Sequence, residues 1–206
     1  MAEALTKNLG GYARMIDAVA VLRGQWLNYS KISSDTEIPK ETVRRYLSLL
    51  EDTLLLFKIP PFQPRRKLGR RVSHHEKIIL FDVGVRNAIL GLHRRPVSAD
   101  QLGHLFEQWM ILQVLYLNRA FKFDWRISSY RTEAGAEVDL VIEREDDIVG
   151  LEIKSSKSVN RTDFIGLKSL AETIGTYKPA KNGLLTEARP GSFLRTAQRL
   201  FLSKKC

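Results

Sequence analysis

A single cysteine, Cys206, is the only thiol in this 206-residue sequence, which excludes an intrachain disulfide and any cysteine-rich zinc site. Long apolar runs are missing too. No stretch approaches the ~18 to 20 residues needed to cross a bilayer, and MAEALTKNLGG lacks the apolar centre of a secretion signal. There is no G-x-x-x-x-G-K-[ST] phosphate loop, and NLGGYARM lacks the lysine and hydroxyl such a loop uses, which speaks against ATP hydrolysis by this chain. Internal repeats and low-complexity segments are also absent. The expectation is a globular, cytoplasmic protein in a reducing compartment with no membrane partner.

Acid is in short supply. Asp and Glu number 23 against 33 Lys and Arg, for a net charge of +10 and a pI of about 9.8, so a polyanion is the expected partner. The excess is uneven. Residues 1–100 hold 17 Lys and Arg against 10 Asp and Glu, a balance of +7, while residues 101–206 hold 16 against 13, a balance of +3. Phosphate binding is therefore expected mainly in the front half.

Apolar residues Tyr12, Met15, Ile16, Val19, Leu22 and Trp26 recur at helical spacing and predict one helix ending near Leu27. Ser30 caps a second short helix in this reading, and Pro39 opens a third whose inner stripe is Val43, Tyr46, Leu47 and Leu50. Two strands follow, Leu54 to Ile59 and Lys77 to Phe81, around the basic stretch PPFQPRRKLGRRVSHHE. Helix-turn-helix plus a basic loop between strands is a winged-helix outline. In that outline Arg65, Arg66, Lys67, Arg70 and Arg71 form a wing that tracks phosphates, and Lys40, Arg44 and Arg45 of the third helix face a groove.

The turn-rich LHRRPVSAD marks a boundary, giving a winged-helix-like domain over 1–95 and a second domain over 96–206. The second reads as a helix over 101–118, strands near 122–130, 136–143 and 148–155, a helix near 162–174, a strand at 183–187 and a helix from about 190 to 202. The fold class is thus α+β.

Within the second domain, EVDLVIEREDDIVGLEIKSS carries seven acidic residues on what reads as one hairpin. A four-residue loop over 144–147 sets Glu143 opposite Ile148, and the same register brings Asp139 opposite Glu152. Like charges at that separation destabilise a pair. Lys154 shares their sheet face by the period-two alternation of strands. Two carboxylates beside an ammonium make a hard-oxygen site suited to Mg²⁺ or Mn²⁺, which would activate water for phosphodiester hydrolysis. A solvated face of alternating charges explains the same residues without a metal.

The spacing of Asp139 from Glu152-Ile153-Lys154 resembles the PD-(D/E)XK nuclease superfamily, of restriction-endonuclease-like fold, and so does the order α-β-β-β-α-β, whose core is a mixed central sheet. That resemblance implies metal ligation by Asp139, Glu152 and the Ile153 carbonyl, a catalytic Lys154, and a supporting acid at Glu107 in HLFEQWM. Val138 stands where the motif name has proline. Arg131, just ahead of Asp139, could bind a phosphate bidentately or pair with Glu133 or Glu137.

A second resemblance runs through LNYSKISSDTEIPKETVRRYLSLLEDTLLLFKIPPF, KIILFDVGVRNAILG, LFEQWM, SYRTEAGAEVDLVIE and LEIKSS. These are similar to the C-terminal region that follows the AAA+ type ATPase module in a large bacterial and archaeal family. It implies a winged-helix segment before a nuclease-like domain, with a separate ATPase subunit as a partner. The expected function is a nucleic-acid-associated, metal-dependent phosphodiesterase, with DNA favoured over RNA; the alternative is a catalytically inactive DNA- or protein-binding accessory module of an ATPase system.

Overall fold

The computed structural model of the chain describes residues 8–22, 26–64, 72–94, 96–145, 147–155, 160–175 and 180–186. They separate into two compact units. One runs to Ile59 and resumes from His75 to Ser98; the other takes Pro60 to His74 and everything from Ala99.

The first unit opens with α1 (Leu9–Val21), whose Asn8 cap accepts the Gly11 N–H at 2.8 Å. The expected continuation to Leu27 does not occur. Trp26 instead forms an antiparallel bridge with Lys77, whose ammonium lies 5.3 Å from the indole centroid. Helix α2 (Tyr29–Thr36) is capped by Asn28 rather than Ser30, through the Lys31 N–H, and stops where Glu37 turns left-handed with φ 57°. Helix α3 (Lys40–Asp52) buries the expected stripe of Val43, Tyr46, Leu47 and Leu50. Each such side chain removed from water contributes about 1.5 to 3 kcal/mol, and together with Met15, Val19 and Ile32 they form the unit's core.

Strands β1 (Leu56–Ile59) and β2 (Lys77–Leu80) pair antiparallel and close that core with Leu56, Ile78 and Leu80. Helix α4 (Val83–Ile89), capped by Asp82, was not foreseen. Its buried Arg86 donates to the Ala20 carbonyl at 2.9 Å, putting a cation on the C-terminal turn of α1, where the helix dipole favours one.

The second unit contains α5 (Ala99–Phe121), β3 (Arg126–Arg131), β4 (Glu137–Glu143), β5 (Ile148–Lys154), a 3₁₀ turn (Arg161–Phe164), α6 (Ile165–Ile174) and β6 (Ala180–Thr186). The sheet order is β3-β4-β5-β6, with the first three strands antiparallel and β6 parallel to β5 across the α6 crossover. This is a mixed α+β architecture. No described helix is long and apolar enough to cross a membrane.

Two expectations are corrected here. The strand expected from 122 begins only at Arg126, because α5 runs on to Phe121 and the chain reverses through Lys122 and Asp124, both with positive φ. The stretch expected as a wing of the front domain leaves that unit. Ser129 donates to the Pro60 carbonyl at 2.9 Å, Phe62 donates to the Ser129 carbonyl at 2.7 Å, and Ser73 donates to the Arg131 carbonyl at 2.8 Å. An edge strand presents unpaired backbone groups that need partners, and β3 is such an edge. Phe62 completes the join by burying itself 6.4 Å from the Tyr130 ring. The five wing cations, Arg65, Arg66, Lys67, Arg70 and Arg71, lie outside the described residues, as does the helix expected over 190–202.

The β4–β5 turn explains part of the acid on this hairpin. Asp147, only 5% exposed, receives both Nε and Nη2 of Arg144 in a bidentate pair, and the Arg144 N–H donates to the Asp147 carbonyl. Arg144→Ala would strand a buried carboxylate, and is expected to destabilise the protein by about 3 kcal/mol in urea denaturation.

Candidate metal and phosphodiester site

The β4–β5 ladder has the register that turn length and alternation predict: Glu143 with Ile148, Ile142 with Val149, Val141 with Gly150 and Leu140 with Leu151. There it stops. The next residues, Asp139 and Glu152, are not ladder partners. Along β5 the backbone groups facing β4 alternate, so Ile153 is the next after Leu151 to offer its N–H and carbonyl on that side. The Ile153 N–H goes to a side chain: it donates to Asp139 Oδ2 at 2.8 Å.

The other side of β4 is irregular at the same place. Ser128 lies opposite Val141 and Tyr130 opposite Val138, so two residues of β3 span three of β4. A bulge of this kind re-aims side chains and is common beside functional sites. It sits at Asp139–Leu140, so the period-two alternation of β4 breaks there. Val138 and Val141, opposite residues two apart on β3, now share a face. Both pack in one cluster with Leu167, Leu170 and Ile174 of α6.

Asp139 and Glu152 are 7% and 8% exposed. Burial of ionised carboxylates requires hydrogen bonds or opposite charge. Asp139 has the Ile153 amide; Glu152 Oε1 has Lys154 Nζ at 2.7 Å, and its Oε2 is buried. Burial alone would lower the Lys154 pKa, but the hydrogen bond and charge of Glu152, then the charges of Asp139 and Asp163, outweigh it and hold the ammonium above its ordinary value. The lysine therefore stays charged beside the two carboxyl groups.

Two helices frame this corner. At Gly166 of α6 an added Cβ would lie 1.7 Å from the Glu137 carbonyl oxygen and 3.3 Å from Val138, so only glycine allows the approach. On α5 a Cβ at Gly103 would lie 3.2 Å from Ser155, the residue after Lys154. Glu107, four residues further on the same helix face, is half-buried. Among the described residues no three His, Cys, Asp or Glu converge as a metal-ligating group, so Glu107 does not close with Asp139 and Glu152 into a trio. Asp163, on the turn before α6 and hydrogen-bonded to the Asn160 N–H, is the charge near Lys154 that sequence reading missed. Its only local sequence signal was the helix-capping pattern Asn160 to Asp163.

The remaining expected residues are dispersed. Arg131 lies opposite Glu137 at the end of β3. On α3, Lys40 donates to Ser30 at 3.3 Å, Arg44 sits 4.5 Å over the Tyr29 ring and 3.5 Å from Glu41, and Arg45 is exposed. The donor set at the hairpin fits Mg²⁺ or Mn²⁺ in kind: two carboxyl groups plus the Ile153 carbonyl, all hard oxygens.

Two family models match successive stretches of the chain. Residues 2–95 match a family model described as a domain of unknown function, DUF8612. Residues 102–194 match another, described as a domain of unknown function, DUF4143, which is found in C-terminal regions associated with AAA-type ATPases. The chain is also similar to the uncharacterized proteins Mb2031c of Mycobacterium bovis and Rv2008c of Mycobacterium tuberculosis, at 28% identity over 148 residues in each case. That match covers 70% of this chain and 32% of each relative, so the chain spans about a third of their length. No solved structure matches.

Proposed function

We propose that the chain is a nucleic-acid-associated, divalent-metal-dependent phosphodiesterase of the PD-(D/E)XK type, with a winged-helix-like front unit and a restriction-endonuclease-like second unit. The observation that carries the reading is the corner where the β4–β5 ladder opens. There Asp139 and Glu152 are buried beside an ion-paired Lys154, and the Ile153 carbonyl shares the direction of an amide already bound to Asp139. An antiparallel three-strand meander followed by a parallel strand after a crossover helix supports the fold reading.

In this reading Asp139, Glu152 and the Ile153 carbonyl would hold Mg²⁺ or Mn²⁺, which when bound lowers the pKa of water and polarises a phosphoryl oxygen. The protein's own part is electrostatic. Asp139 is fixed by the Ile153 amide, so little reorganisation accompanies reaction, and Lys154, held cationic, stabilises negative charge developing on phosphate. DNA is the proposed substrate, and an ATPase subunit a proposed partner.

Calorimetric titration of Mn²⁺ tests the site without assuming a substrate. The wild type is expected to bind with a measurable heat that Asp139→Ala abolishes. Equal heats from both proteins would remove the metal site. One observation favours an inactive accessory module instead: no third acid converges on Asp139 and Glu152 among the described residues. That module would bind DNA or the ATPase equally well with and without divalent metal.

A further inference from the structure

Between α5 and β3 the chain makes a reversal that the proposed nuclease chemistry does not use. Phe121, Phe123 and Trp125 stack there as a column, with ring centroids 5.5 Å and 4.3 Å apart and interplanar angles of 21° and 9°. The alternate residues Lys122 and Asp124 adopt left-handed φ of 52° and 56°, which brings the aromatic residues to one side. Neither is glycine, and such conformations cost on the order of 1 kcal/mol each unless surrounding contacts impose them. Here they are imposed. Asn118 donates to the Trp125 carbonyl at 3.0 Å and accepts its N–H at 3.1 Å, while Phe123 donates to the Asn118 carbonyl.

The column ends in the open. Phe121 is 65% exposed, although Phe123 and Trp125 are half-buried. The exposed cations Arg119, Lys122 and Arg126 lie within five residues of Phe121 along the chain. The acids nearby are Asp124, exposed, and Glu143, 4.0 Å from Arg126. A braced aromatic stack ending in an accessible ring, with exposed cations close by in the chain, has the two components of single-strand recognition: a π-face for a base and cations for the flanking phosphates. A buried core contact would need neither the exposed outer ring nor the cations.

We infer that the Phe121–Phe123–Trp125 column is a stacking platform for single-stranded nucleic acid, with one base laid on Phe121 and the adjacent phosphates held by Lys122 and Arg126. The platform is separate from the metal corner: Arg126 pairs with Glu143 at one end of β4, and Asp139 lies four residues along it.

The test is fluorescence anisotropy of a labelled oligo(dT) strand of about a dozen nucleotides, in EDTA so that metal-dependent cleavage plays no part. Phe121→Ala is expected to weaken binding about 10-fold, Phe121→Trp to restore it, and Lys122→Ala to flatten the salt dependence by about one unit of slope. Phe121 is exposed, so these variants retain the fold, as thermal melts will register. Because binding is read in EDTA, where no metal-dependent cleavage occurs, loss of platform binding and failure of the phosphodiesterase reading are read by separate experiments. An unchanged Kd for Phe121→Ala, or no oligonucleotide binding by the wild type, overturns the proposal and leaves the column to a protein partner.

Discussion

Glu152→Gln is expected to reduce Mg²⁺- or Mn²⁺-dependent DNA cleavage by about 100-fold or more while leaving folding stability within about 1 kcal/mol of wild type. The asymmetry follows from where Glu152 sits. It is 8% exposed, and glutamine keeps its volume, so no cavity opens. Its partner Lys154 keeps 36% of its side-chain surface, so water can replace the lost ion pair. What the substitution removes is an anionic ligand, and with it the charge that would hold a divalent cation against the Asp139 side of the hairpin. Initial cleavage rates on plasmid and linear DNA, beside urea denaturation, read both quantities. A rate equal to wild type would remove the proposed reaction centre, and a collapse of stability at preserved rate would make the carboxylate a structural one.

The second large effect is structural and needs no ligand. Gly166→Ala is expected to destabilise the protein by about 3 kcal/mol or more, measured by chemical denaturation. Overpacking is tolerable where a flexible side chain can move aside; here the nearest atom is the Glu137 carbonyl oxygen, at 1.7 Å from the added carbon. Relief requires lifting the start of α6 from β4. That movement would open the cluster in which Leu167, Leu170 and Ile174 pack on Tyr130, Val138 and Val141, and it would draw Asp163 away from Lys154. The variant should therefore also show a lowered Lys154 pKa, since one of the charges raising it is displaced. Wild-type stability for Gly166→Ala would mean that α6 does not approach β4 this closely.

Much of this was legible beforehand because it is encoded locally. Alternation of Val, Leu and Ile with a four-residue turn is sufficient to set the register of β4 and β5, since a slip of one residue would turn every apolar side chain outward. The same logic placed Glu152 and Lys154 on one face, where they are found ion-paired. Helical stripes such as Val43, Tyr46, Leu47 and Leu50 were equally readable. Helix α4 escaped because a seven-residue element gives too few turns for periodicity to register, even though Asp82 supplies a cap.

By itself, then, the sequence determined the periodic elements, the hairpin register and the presence of two acids and a lysine at one end of it, because each depends on neighbours within a turn or two. Tertiary structure alone decided the rest. The bulge at Asp139, the pairing of Pro60, Phe62 and Ser73 with the edge of β3, and the arrival of Asp163 beside Lys154 all arise where backbone groups and charges find partners far away in the chain. No local pattern records such pairings, since they are chosen by which groups remain unsatisfied once the elements have packed.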